Sequence, residues 1–128
     1  MIEFNIHTKL YTCNEYILAC RSNKFLGAKI KKDTENKIVY EIKNQKIKNS
    51  IKNHPIMITF NWYEKTKRRD KDNIAFSKKF ILDAMQKAKI IKNDNNNYIL
   101  GFKDLFFYDK KIDNNYVKIE IEEIQKDK

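Results

Sequence analysis

Two glycines and one proline in 128 residues exclude collagen-like and Pro/Gly-rich low-complexity chains. No apolar run approaches the ~18 residues of a membrane-spanning helix. The opening Met1-Ile2-Glu3-Phe4-Asn5 has neither the basic nor the apolar region of a secretory signal, so a soluble cytoplasmic protein with no membrane partner is expected. The two cysteines, Cys13 and Cys20, form no CxxC, and His7 and His54 lack metal-ligand spacing. If residues 13 to 20 are helical, the thiols lie seven apart on one face and suit no intrachain disulfide, so free thiols in or near the core are expected. What is present suffices for an interior: 41% of residues are hydrophobic and 12% aromatic, enough for one packed domain over residues 1–128.

Acid is outweighed by base. Lys and Arg number 27 against 17 Asp and Glu, a formal net charge of +10. Such a surplus favours a polyanion such as nucleic acid. Abundant Lys, Asn and Ile also fit AT-rich coding DNA, and scattered lysines are usually solvated surface. The arginines carry more information. Arg68 and Arg69 stand side by side in Lys65-Thr66-Lys67-Arg68-Arg69, and Arg presents a planar fork suited to bidentate phosphate contact.

Hydrophobic patterning gives a coarse fold. Ile2, Phe4 and Ile6 alternate with polar residues as in a half-buried strand. Thr12-Cys13-Asn14-Glu15 has the form of a capping box, which predicts a short helix. Gly27 predicts a break between helical pieces, and a long charged helix should run from about Ala28 to Lys52, ended by His54-Pro55. Ile56 to Trp62 reads as a strand. Ile74, Phe80, Ile81, Leu82, Ala84, Met85 and Ala88 predict an amphipathic helix. Asn93 to Asn97 reads as a polar turn. Tyr98–Phe107 and Tyr116–Ile124 read as two strands joined in a hairpin. The sum is a single α+β domain with a small mixed or mostly antiparallel sheet and flanking helices.

Asp70 and Asp72 follow the basic tract directly. Carboxylates there should repel a phosphate backbone unless they hold Mg²⁺, which takes one or two carboxylates plus water and phosphate oxygens. In an extended segment the two acids project to one side. Alternatively, Asp72 or Asn73 caps the following helix. Trp62 and Tyr63 could stack in an open DNA branch or sit in the core as a strand end.

Asp70-Lys71-Asp72-Asn73, Lys79, Leu82-Asp83-Ala84-Met85 and Asn93-Asp94 together resemble the RusA family of Holliday junction resolvases, notably its phage-type members. The likeness covers about residues 56 to 108, with a weaker echo at Tyr11–Tyr16 and Arg21–Lys32. It implies a homodimeric, Mg²⁺-dependent endodeoxyribonuclease resolving four-way DNA junctions in a bacterial, phage or prophage setting. Residue by residue, the resemblance makes Asp70, Asp72 and Asp94 metal-binding acids. Asn93 replaces the first acid of the family's Asp-Asp pair, and the usual turn glycine is missing at Lys89-Ile90-Ile91. Lys79 matches the essential lysine when the helix is aligned from Asp83 and Asp94. Counting forward from Asp72 falls on Phe76 instead, which makes Lys78 the rival. Lys79 lies seven residues from Asp72, on the same face of a continuous helix, but could also pair with Asp83. Lys65, Lys67, Arg68, Arg69 and Lys78 are the expected DNA contacts.

A helix over residues 74 to 89 spans roughly 24 Å. The five residues from Lys89 to Asp94 reach at most about 17 Å. Asp94 therefore completes the site of Asp70 and Asp72 more easily across a two-fold dimer. The same site could serve another branched DNA, or the chain could be a non-catalytic basic DNA-binding protein.

Overall fold

The arrangement is set by its second strand. Ile56-Met57-Ile58-Thr59-Phe60-Asn61-Trp62-Tyr63-Glu64 is apolar or aromatic at six of nine positions and exposed at none, as suits a strand with neighbours on both sides. In the computed structural model, which describes residues 1–47, 51–92, 95 and 97–124, it has both. The elements run β1 (Ile2–Ile6), α1 (Cys13–Ser22), α2 (Lys24–Asn44), β2 (Ile56–Glu64), α3 (Lys71–Ala75), α4 (Lys78–Lys87), β3 (Ile99–Tyr108) and β4 (Tyr116–Glu123). The sheet order is β1-β4-β2-β3. β4 runs antiparallel to β1 and β2, and β3 runs parallel to β2. The expected single α+β domain with a mixed sheet is what folds.

One face of the sheet carries the core. Phe4 and Ile6, Ile58, Phe60 and Trp62, and Val117, Ile119 and Ile121 are buried there with Ile38 and Ile42 of α2 and Phe80, Ile81, Ala84 and Met85 of α4. The opposite face carries Tyr63, Tyr116, Leu105 and Phe107, because strand side chains alternate.

Several expectations change. β3 and β4 are not a hairpin: β2 lies between them, with Trp62 facing Phe106 on one side and Val117 on the other. The helical break falls at Asn23, whose side chain accepts the Phe25 N–H at 2.9 Å, and not at Gly27. Gly27 is buried inside α2 because α1 comes close there. A Cβ on it would sit 2.3 Å from the Cys20 sulfur. Cys13 and Cys20 are free as expected, although Cys20 is exposed and not in the core. The long helix stops at Asn44, well before Pro55, since Lys46 turns to positive φ and Gln45 is drawn onto β1. The Thr12–Glu15 capping box forms in full. Among the described residues no helix is long and apolar enough to cross a membrane.

Candidate nucleic-acid interface

The basic tract leaves the sheet where β2 ends. Glu64 is buried there, and Arg69 folds back on it with two bonds, Nε to Oε1 at 2.7 Å and Nη2 to Oε2 at 3.1 Å. The same guanidinium lies 3.5 Å from Glu15. Arg69 is thus tied internally and braces the loop against the sheet. Burial acts to raise the Glu15 carboxyl, but the Thr12 backbone N–H and hydroxyl, with the charge of Arg69, outweigh it and hold the group below its ordinary value. Lys65, Lys67 and Arg68 remain exposed. The Lys65 N–H donates to Asn115 at 2.7 Å, which pins the loop to the β3–β4 turn. Between loop and turn lies a cleft of about 440 Å³ lined by Lys65, Lys67, Tyr108, Asp109, Lys110 and Lys111. Four ammonium groups against one carboxylate make it an anion-attracting cleft.

The acids come next. Asp70 is the N-cap residue of α3, yet its carboxylate makes no capping bond. Asp72 lies in the first turn of α3, its Oδ1 accepting the Asn73 N–H at 3.0 Å. The expected extended segment from Asp70 to Asp72 is therefore only half right, because α3 begins at Lys71. Neither Asp72 nor Asn73 is the cap. Both acids are exposed. Asp94 and Asn93 lie outside the described residues. Among the described residues no three His, Cys, Asp or Glu side chains gather where they could hold a metal.

The two lysines of α4 part ways. Helix continuity breaks at Phe76–Ser77, where the Ser77 hydroxyl donates to the Tyr11 carbonyl at 2.6 Å. Asp72 and Lys79 consequently do not share one helix face. Lys79 is exposed, and Asp83 pairs with Lys31 of α2 at 3.7 Å and not with Lys79. Lys78 points to the sheet and donates to Asp104 of β3 at 2.6 Å. The other Asp104 oxygen accepts the Trp62 indole N–H at 2.9 Å. Trp62 is thus a core residue with a satisfied N–H.

Asp104 lies outside the sequence motif and Lys71 has no assigned role within it, but the sheet gives both a place. The helix-side residues of β3 are Phe102, Asp104, Phe106 and Tyr108. Lys78 sits 4.9 Å over Phe102 and 5.3 Å over Phe60, Lys71 5.7 Å over Phe106, and Lys67 5.4 Å over Tyr108. Alternate residues of a strand are about 6.7 Å apart, so aromatic rings with cations above them line one strand. The period-two aromatics of β3 are legible in the sequence, but their lysines come from another segment and are not.

On the opposite face four rings stack across the sheet. His7 meets Tyr116 at 5.1 Å, Tyr116 meets Tyr63 at 4.7 Å, and Tyr63 meets Phe107 at 4.9 Å between centroids. Tyr63 is therefore half-buried in a side-chain stack on the face opposite the core, and not in the core as a strand end.

Neither a scan of protein-family models nor a search of curated protein sequences returns a match to this chain.

Proposed function

We propose that the chain is a Mg²⁺-dependent structure-specific endodeoxyribonuclease acting on four-way DNA junctions. The observation that carries this reading is the meeting of two acids free of capping duty with an aromatic strand bearing lysines. Asp70 and Asp72 continue directly from the basic tract, and Lys67 and Lys71, on either side of Asp70, extend over Tyr108 and Phe106. Basic grooves with interleaved aromatic rings are a recurrent way to track a nucleic-acid backbone.

The acids fit the metal chemistry, since Mg²⁺ takes hard carboxylate oxygens and keeps several waters. Asp70 and Asp72 would hold it, and it would supply an activated water and charge neutralisation at the scissile phosphate. The remaining work belongs to the chain's own residues. Lys65, Lys67, Arg68 and Lys71 neutralise phosphates and fix register. Lys78, oriented by Asp104, offers an ammonium at a defined place for the charge that develops on the phosphate. Lys79 is the alternative, but it lacks such an orienting partner among the described residues. Arg69 acts through the loop it braces.

The partners proposed are a branched DNA and a second copy of the chain. Two-fold symmetry suits paired cuts in a four-way junction. Ile99 stands opposite Ile56, eight residues along β2 from Glu64, or about 26 Å. The shared site is therefore part of the proposal: Asp94 of one copy would complete the site of Asp70 and Asp72 in the other. Mixing inactive Asp70→Asn and Asp94→Asn subunits should restore cleavage. Without restoration after verified subunit exchange, the shared site is wrong.

A second reading, a non-catalytic DNA-binding protein, is favoured by the row of lysines over the rings of β3, which can grip a backbone without a metal. Cleavage of a labelled four-way junction in Mg²⁺, beside linear duplex and an Asp72→Asn control, decides between them. Symmetric nicks lost in the variant support the nuclease. Tight, chelator-insensitive binding without nicks supports the binder. Nicking of every branched substrate alike keeps the site and widens its substrate class.

A further inference from the structure

A sheet with two edges exposes two rows of unpaired backbone groups, and here the rows are treated differently. On β1, the Asn5 N–H donates to Gln45 at 2.9 Å and the Gln45 amide returns a bond to the Asn5 carbonyl at 2.7 Å. Just past β1, the His7 and Thr8 N–H groups both donate to Glu41, at 2.7 and 2.6 Å. Side chains of α2 therefore close that edge. β3 is twice as long, ten residues against five, and pairs only with β2. Among the described residues no side chain bonds to its outward backbone. Four of its five exposed residues are apolar, Leu100, Phe102, Leu105 and Phe107, and the fifth is Lys103. A long apolar open edge is a template for another strand unless something covers it.

We propose that β3 pairs antiparallel with β3 of a second copy about a two-fold axis through Leu105, joining the two sheets into one of eight strands. Three observations select this occupant. First, α2 side chains occupy the β1 edge from Asn5 to Thr8, so the ten-residue β3 of another copy finds no matching open length there, which disfavours head-to-tail growth and favours an isologous, self-closing contact. Second, the chain carries +10 overall, while β3 holds one Lys and one Asp and is neutral. The strand itself adds no net charge to the seam, and the repulsion comes only from the lysines that lie over its rings. Third, residues facing each other across such a pair share a sheet face, so one residue pairs with itself on the axis. Lys103 or Asp104 there would oppose like charges, which is destabilising. Leu105 places an apolar pair on the axis, sets Phe107 beside Lys103 of the partner subunit, and sets Phe106, under Lys71, beside Asp104 of the partner subunit.

This interface deepens the two-fold reading above and rests on that reading only for its consequence. Antiparallel pairing lays the Tyr108 end of one β3, beside Glu64 and the basic tract, along the Ile99 end of the other. The lysine rows of the two copies then flank one seam. Because those rows repel, self-association should tighten as salt rises, whereas DNA binding should weaken.

The test is sedimentation of the full chain across concentration and salt, together with Leu105→Lys and, in a Cys13→Ser/Cys20→Ser background, Leu105→Cys. Directly paired Cα atoms in an antiparallel ladder are about 4.5 to 5.5 Å apart, within disulfide reach. A closed dimer is expected that Leu105→Lys converts to monomer and mild oxidation of Leu105→Cys locks covalently. As a control, Leu18→Lys and Phe25→Lys on the exposed corner of α1 and α2 should leave the dimer intact. Persistent monomers, open-ended polymers, or a dimer broken at the corner and not at Leu105 overturn the proposal. Junction binding by the wild type is measured beside it. Its absence would sink the nucleic-acid reading while leaving the interface standing.

Discussion

The two edge strands differ in length and pattern, and above all in what lies beside them. β1 alternates and pairs along its whole length with β4, whereas β3 is apolar on both faces and pairs with β2 across one register shift at Leu100. β1 is closed because α2 ends over it and lends Glu41 and Gln45 to its backbone. β3 has lysines over its rings instead, from Lys67, Lys71 and Lys78. The first arrangement satisfies backbone groups and shuts the edge to other strands. The second leaves the backbone open and gathers positive charge along it. One edge is arranged for stability, and the other is the edge proposed to bind.

Opening the closed edge is the most damaging way to break this contrast. Glu41→Ala with Gln45→Ala strips partners from the Asn5, His7 and Thr8 N–H groups and from the Thr8 hydroxyl. Water reaches these donors, so the expected loss is about 3 kcal/mol, below the sum of the separate bonds. Urea unfolding reads the loss, and light scattering should show open-ended association once both edges are free. A soluble dimer of unchanged size would show that the α2 side chains are not what closes β1.

Next in size is Asp104→Ala on β3. It leaves the Trp62 indole N–H, in a residue only 2% exposed, without its acceptor and frees Lys78 from its only ion-pair partner among the described residues. The expected cost is about 2 kcal/mol in urea. If Lys78 acts on the phosphate, cleavage should fall further than binding, because binding draws on several lysines.

How much of this was legible depended on the range of the interaction concerned. The Thr12–Glu15 capping box and the strand from Ile56 are local and could be read directly. The break at Phe76–Ser77 could not, because the Ser77 hydroxyl bonds to the carbonyl of Tyr11, 66 residues away. The hairpin expected of β3 and β4 does not form. β2, with no exposed position, takes the centre of the sheet between β3 and β4. At the site, the acids and the basic tract were legible as a motif, but the roles of Arg69 and Lys78 were not. Each is set by a carboxylate, Glu64 or Asp104, which spacing does not reveal.

A smaller effect sharpens the binding side of the contrast. Lys71→Ala should weaken binding to every DNA alike and lower the slope of log affinity against log salt by about 0.9, one phosphate contact. Arg69→Ala should act chiefly through the loop, with a drop in stability accompanying the drop in affinity. A Lys71 variant with an unchanged salt slope would remove that residue from the phosphate row.

The smallest effect concerns the brace behind the basic loop. The Glu15 carboxyl is held below its ordinary value, so it binds fewer protons in the folded chain than in the unfolded one near pH 4. Its stabilisation is therefore complete above that ordinary value and is lost as pH falls through the lower folded value. Solvent screens the group, and about 0.5 kcal/mol is expected. Glu15→Gln keeps an acceptor for the Thr12 N–H but removes the titration and the charge facing Arg69. The stability gap between wild type and Glu15→Gln, read from urea midpoints at several pH values, should be open at pH 6 and close toward pH 3. A gap constant over that range would mean that Glu15 caps α1 through geometry alone, and that Glu64 by itself holds Arg69 and the loop.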